Sequence, residues 1–79
     1  MSVYQDIYNE VHRKRCVLRI DGEWFIRTSS LTDCIAELGY SEKDILLLIN
    51  EMVKRKLIHA GTVGTKYTGP GYIIDSWLD

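Results

Sequence analysis

The chain has 79 residues, 46% hydrophobic and 27% charged, with a formal net charge of −1. That length supports one domain over residues 1–79, and the apolar content suits a single core and excludes a disordered chain. The near-neutral balance weighs against a strongly basic nucleic-acid binder, while leaving room for a local patch.

The first residues carry no basic leader and no long apolar run, so no secretory signal is expected. No stretch approaches the roughly 20 apolar residues that span a bilayer. A cytoplasmic setting without membrane contact is the resulting expectation. Cys16 and Cys34 sit among apolar neighbours without CxxC spacing. They read as small core hydrophobes, with only a weak signal for zinc or redox chemistry.

In chain order, Ser2, Ser30 and Ser41 each precede a periodic apolar run and are followed three residues later by Gln5, Asp33 and Asp44. A serine hydroxyl at such a place accepts from the third helical N–H, and the later side chain can reach back to the cap. Gln5 fits the reciprocal arrangement best. The first helix is predicted from about Val3 to Arg13, with Val3, Ile7 and Val11 on one face. His12-Arg13-Lys14-Arg15 then meets the negative end of the helix dipole.

Cys16 to Thr28 reads as strand, interrupted by Asp21-Gly22. Asp-Gly between β-rich runs is a two-residue hairpin signal. It would set Arg19 opposite Trp24 for a cation–π contact. The second helix is predicted from about Leu31 to Leu38, with a stripe of Leu31, Cys34, Ile35 and Leu38. Gly39 follows where a left-handed residue ends helices. The third helix is predicted from about Glu42 to Arg55, with Ile45, Leu48, Ile49 and Met52 inward. Residues 57–63 read as a strand, 64–71 as a glycine-rich turn with Pro70, and 72–74 as the returning strand.

Two helices joined by a short glycine-containing turn, then a hairpin, resemble the winged helix-turn-helix superfamily. The resemblance rests on Leu31-Thr32-Asp33-Cys34-Ile35-Ala36-Glu37-Leu38-Gly39-Tyr40-Ser41 and on Glu51-Met52-Val53-Lys54-Arg55-Lys56-Leu57-Ile58. It implies an α+β winged helix of three helices and a β-hairpin wing, with room for an extra hairpin at residues 16–28. It also implies double-stranded DNA as partner and transcriptional regulation as function, with the third helix in the major groove. A minority of relatives use the fold for protein contacts. Relatives often carry glycine where this chain has Lys56, so either Lys56 adopts the left-handed conformation or the helix ends differently.

The outward face of the third helix should hold Lys43, Asp44, Leu46, Leu47, Asn50, Glu51 and Lys54. Lys43 and Asn50 suit base readout, and Lys54 suits a phosphate contact. Asp44 and Glu51 oppose both. Leu46 and Leu47 lie about 100° apart, so one is expected in the core and the other at its rim; the alternative is an apolar contact patch for a protein or a second copy. At the wing tip Lys66 supplies charge, Thr65 and Thr68 supply hydroxyls, and Tyr67 can stack on a base. So few contacts would bind weakly as a monomer, and a homodimer is expected.

Enzyme readings are weaker. Gly64-Thr65-Lys66 lacks the spacing of a phosphate-binding loop, and Gly61-Thr62-Val63-Gly64 follows a strand start instead of linking two helices. His12 and His59 look isolated. No catalytic residue, metal or cofactor is expected.

Overall fold

The computed structural model describes residues 2–20, 22–61 and 70–75. Ser2 caps the first helix, α1 (Val3–Arg13), its hydroxyl accepting from the Gln5 N–H at 3.3 Å. The reciprocal arm does not form: Gln5 Nε2 donates to Asn9 Oδ1 at 3.1 Å, one helical turn on. Strands β1 (Leu18–Ile20) and β2 (Glu23–Arg27) pair antiparallel, with Arg19 opposite Trp24 as the two-residue turn requires. Gly22 has a φ of 83°, and the Arg19 guanidinium lies 4.8 Å from the Trp24 ring centre. Cys16 and Val17 precede the strand, so the paired segment is shorter than residues 16–28.

The second helix, α2 (Thr28–Glu37), starts earlier than the serine pattern predicts. Its N-cap is Arg27, which makes no side-chain cap bond, and Ser30 lies inside the helix. The sheet explains the shift. The Thr28 N–H still donates to the Pro70 carbonyl at 3.1 Å, so the chain turns helical directly as it leaves the ladder. Ser41 caps the third helix, α3 (Glu42–Lys54), accepting from the Asp44 N–H at 3.3 Å. Strands β3 (Ile58–Gly61) and β4 (Gly71–Ile74) follow, and the sheet order is β1-β2-β4-β3, antiparallel throughout. The predicted wing strand at residues 57–63 begins one residue later, at Ile58, and is described as far as Gly61, with 62 and 63 outside the described residues.

Helices α1 and α3 end alike. Arg15 and Lys56 have φ of 54° and 61°. The Cys16 N–H reaches back to the Val11 carbonyl and the Leu57 N–H to that of Met52, at 3.2 and 3.0 Å. This double-bonded helix stop favours glycine at the left-handed position. Of the two alternatives at this helix end, Lys56 therefore takes the left-handed conformation.

The core lies between the helices and one face of the sheet. Ile7, Val11, Ile26, Leu31, Cys34, Ile35, Ile45, Ile49, Met52, Ile58 and Ile74 form it, with Leu48, Tyr4 and Tyr8 half-buried against it. Leu38, predicted inward, is exposed at the end of α2. Alternation along β2 sends Phe25 to the face opposite Ile26. Phe25 and its cross-strand partner Ile73 are buried there, so the centre of the sheet is covered on both sides. Among the described residues no helix is long and apolar enough to cross a membrane.

Candidate functional site

Helix α3 commits only one stripe to the fold. Ile45, Ile49 and Met52 are buried and Leu48 is half-buried. At about 100° per residue, Lys43, Leu46, Leu47, Asn50 and Lys54 fall on the opposite side, and all five are exposed. Leu46 is 64% and Leu47 58% exposed. The expected division into one core and one rim leucine is therefore wrong. Ile45 and Ile49 point straight at α2 and the sheet, and the residues one and two places after Ile45 are swung beyond the packed face. Val53, 38% exposed, continues the apolar surface from Leu46 two turns on.

The acids are less obstructive than their positions suggest. Glu51 accepts from Arg55 Nε at 3.0 Å, and that guanidinium also lies 5.1 Å from the Tyr4 ring centre. The carboxylate of Glu51 holds the Arg55 guanidinium above its ordinary pKa. The pair is thereby drawn toward Tyr4 of α1. Asp44 sits in the first turn of α3, where a negative charge suits the helix dipole. Lys43 and Lys54 make no ion pair among the described residues. They are 11 residues apart, hence about 16 Å along the axis. The result is a face with a lysine near each end and two leucines and Asn50 between. A groove of about 300 Å³, lined by Thr32, Glu42, Ile45 and Leu46, opens beside it. Thr65, Lys66 and Tyr67 lie outside the described residues.

The first basic cluster does not join this face. Arg13 forms a double hydrogen bond with Glu10, at 3.1 and 2.7 Å, and Lys14 pairs with Glu37 of α2. The hydrogen bond from Arg13 holds the Glu10 carboxyl below its ordinary range, against the opposing effect of its burial. The Lys14–Glu37 pair ties the end of α1 to the end of α2, and the Arg13–Glu10 pair stays within α1. They are fold contacts where the sequence suggests only dipole complementarity.

Three further associations bring together residues that look isolated in the sequence. His59 Nδ1 lies 2.7 Å from Asp75 Oδ2, and the His12 ring packs at 4.2 Å on Tyr8, so neither histidine stands alone. Cys16 Sγ lies 3.6 Å from Cys34 Sγ, on the wall of an open cavity of about 480 Å³ shared with Lys14, Ser30, Asp33, Ala36 and Glu37. Burial, and then contact with Cys16, push the Cys34 thiol up to about 12. It is protonated at neutral pH and a poor nucleophile there. Residues 18 apart in sequence carry no periodic signal for such a contact; it depends on the turn at Arg15 and on the packing of α1 against α2. Among the described residues no group of three potential metal ligands converges.

No protein-family model matches this sequence, and neither curated proteins nor solved structures yield a match.

Proposed function

We infer that the chain is a winged-helix module whose third helix docks a protein partner through Leu46 and Leu47. The α2–turn–α3 unit followed by the β3–β4 hairpin supports the winged-helix reading. One observation carries the functional part: both leucines project from the middle of α3 with more than half of each exposed to solvent. Full burial of a leucine against a partner contributes about 1.5–3 kcal/mol. Lys43 and Lys54 favour a partner segment with an apolar centre and carboxylates toward its ends. A two-fold pairing of these faces, parallel or antiparallel, sets lysine toward lysine. The homodimer expected from the small number of contacts would therefore use another surface.

A second reading is a transcriptional regulator binding duplex DNA. It is favoured by the exposed Lys43, Asn50 and Lys54 and by the capture of Glu51 by Arg55. Here Lys43 and Lys54 contact phosphates, Asn50 reads an adenine edge, and Thr65, Lys66 and Tyr67 add backbone contacts from the wing.

Two measurements separate the readings. Crosslinking in cell extract, compared between the wild type and a folded Leu47→Asp variant, reports protein docking. Loss of a specific crosslinked partner in the variant is expected; an unchanged set of partners sinks the first reading. Anisotropy titration with random duplex DNA across a salt series reports the second. Salt-dependent binding that weakens in Lys43→Ala and Lys54→Ala supports it, and no binding at low salt refutes it.

A further inference from the structure

Cys16 lies in the linker between α1 and β1, half-buried on the wall of the 480 Å³ cavity, and Cys34 lies buried on α2 behind it. Their sulfurs are in contact at 3.6 Å, whereas a disulfide needs about 2.05 Å. The approach required is thus about 1.5 Å. Cys34 is fixed by its helix, so the movement falls to the Cys16 side chain, in a segment outside both neighbouring elements. A thiol open to a cavity, touching a second thiol from a different element, is the arrangement that intramolecular oxidation requires.

We propose that Cys16 and Cys34 form a reversible dithiol–disulfide site that a small organic disulfide such as oxidised glutathione closes, clamping the end of α1 to α2. In the first step the Cys16 thiolate attacks one sulfur of oxidised glutathione. A Cys16–glutathione bond forms, the glutathione disulfide breaks, and one glutathione leaves as thiolate with the bonding pair. In the second step the Cys34 sulfur attacks the Cys16 sulfur. The Cys16–Cys34 bond forms, the second glutathione leaves, and the Cys34 proton ends on that leaving thiolate. Two protein thiols are oxidised to one disulfide, and one oxidised glutathione is reduced to two molecules of glutathione. The buried Cys34 thiol gives up its proton reluctantly, so the second step sets the rate and accelerates as pH rises.

The test uses the full chain, reduced and then incubated with oxidised glutathione. Intact-mass measurement should show a monomer lighter by two hydrogens, restored by dithiothreitol. Peptide mapping without reduction should link Cys16 to Cys34. The closed loop constrains the unfolded chain, so the melting midpoint should rise by about 5 °C or more. The Cys34→Ala variant should stop at the mixed disulfide on Cys16. Stable glutathione adducts on the wild type, disulfide-linked dimers, two unmodified thiols, or a melting midpoint that does not rise would each overturn the proposal. The wild-type experiment stands alone if the variant fails to fold.

Discussion

Replacing Gly71 with alanine tests how tightly the β3–β4 hairpin is seated on β2. An added Cβ would stand 2.2 Å from Phe25 Cζ, 2.6 Å from Phe25 Cε2 and 2.6 Å from the Ile26 carbonyl oxygen. Carbon atoms pack best at about 3.5–4.0 Å, so the ring would have to retreat by more than about 1 Å. Phe25 is fully buried, and the Ile26 carbonyl belongs to the strand that pairs with Gly71. Moving either opens the ladder between Arg27 and Gly71. Overpacking costs about 1–3 kcal/mol, and a broken ladder bond adds about 1 kcal/mol. The expected loss is therefore about 2–4 kcal/mol, out of about 4–12 kcal/mol for a domain of this size. Urea unfolding followed by circular dichroism measures it. Gly39→Ala is the control: its Cβ meets nothing within 4 Å, and its φ of 100° carries the whole penalty, about 1–2 kcal/mol. Because the tightest clash is with the ring, combining Gly71→Ala with Phe25→Leu should cost less than the sum of the two changes. A Gly71→Ala loss below about 1 kcal/mol, or strict additivity with Phe25→Leu, would refute the reasoning.

Lys56→Gly should stabilise the protein, because the left-handed φ of 61° is strained for lysine and free for glycine; relief of about 1–2 kcal/mol of strain less about 0.5–1 kcal/mol of glycine chain entropy leaves a gain of about 0.5–1 kcal/mol, which would raise the melting midpoint by about 2–8 °C, and a fall would show that the lysine side chain contributes more than the backbone costs. Glu10→Gln should destabilise the fold at neutral pH but not in acid. The folded carboxyl of Glu10 is held below its ordinary value of 4.5 by Arg13, so its contribution is present above that value and lost as pH falls through the lower folded one. Thermal melts of both proteins from neutral pH downward should converge below pH 4.5; a constant difference across that range would assign the effect to packing alone.

What is legible in the sequence follows from how local the cause is. The ends of α1 and α3, the Asp-Gly turn and the facing of Arg19 and Trp24 are decided by residues within one turn of each other. The start of α2 departs from the serine pattern because its cause is not local. Pro70, more than 40 positions away, holds the Thr28 N–H, and a serine cap could not compete with the direction in which the sheet delivers the chain. The same holds for the site. The residues of the α3 face are identifiable by helical phase, but the exposure of both Leu46 and Leu47 depends on how far α2 and the sheet wrap around α3. The neutralisation of Glu51 is within reach of the sequence, since an acid four residues before an arginine is a recognised helical pairing. The Cys16–Cys34 contact is not, because two cysteines flanked by apolar residues look the same whether they touch or lie apart.

The separation of duties on α3 gives the docking proposal its leverage. Ile45, Ile49 and Met52 hold the helix to the core, while Lys43, Leu46, Leu47, Asn50 and Lys54 contribute little to folding. Substitutions on the second set should leave stability within about 0.5 kcal/mol and register only in binding. The lysines and leucines then report different kinds of contact. Loss of a leucine removes apolar burial, whose effect changes little with salt, whereas loss of a lysine removes a charge contact that salt screens. A partner whose affinity falls with Leu47→Asp at every ionic strength is recognised by surface burial. One whose affinity falls with Lys43→Ala or Lys54→Ala, mainly at low salt, is recognised by charge. Because the five residues share one exposed face and none is needed by the core, a loss with Leu47→Asp at every ionic strength marks a protein partner, whereas lysine losses without such a leucine effect mark a nucleic acid.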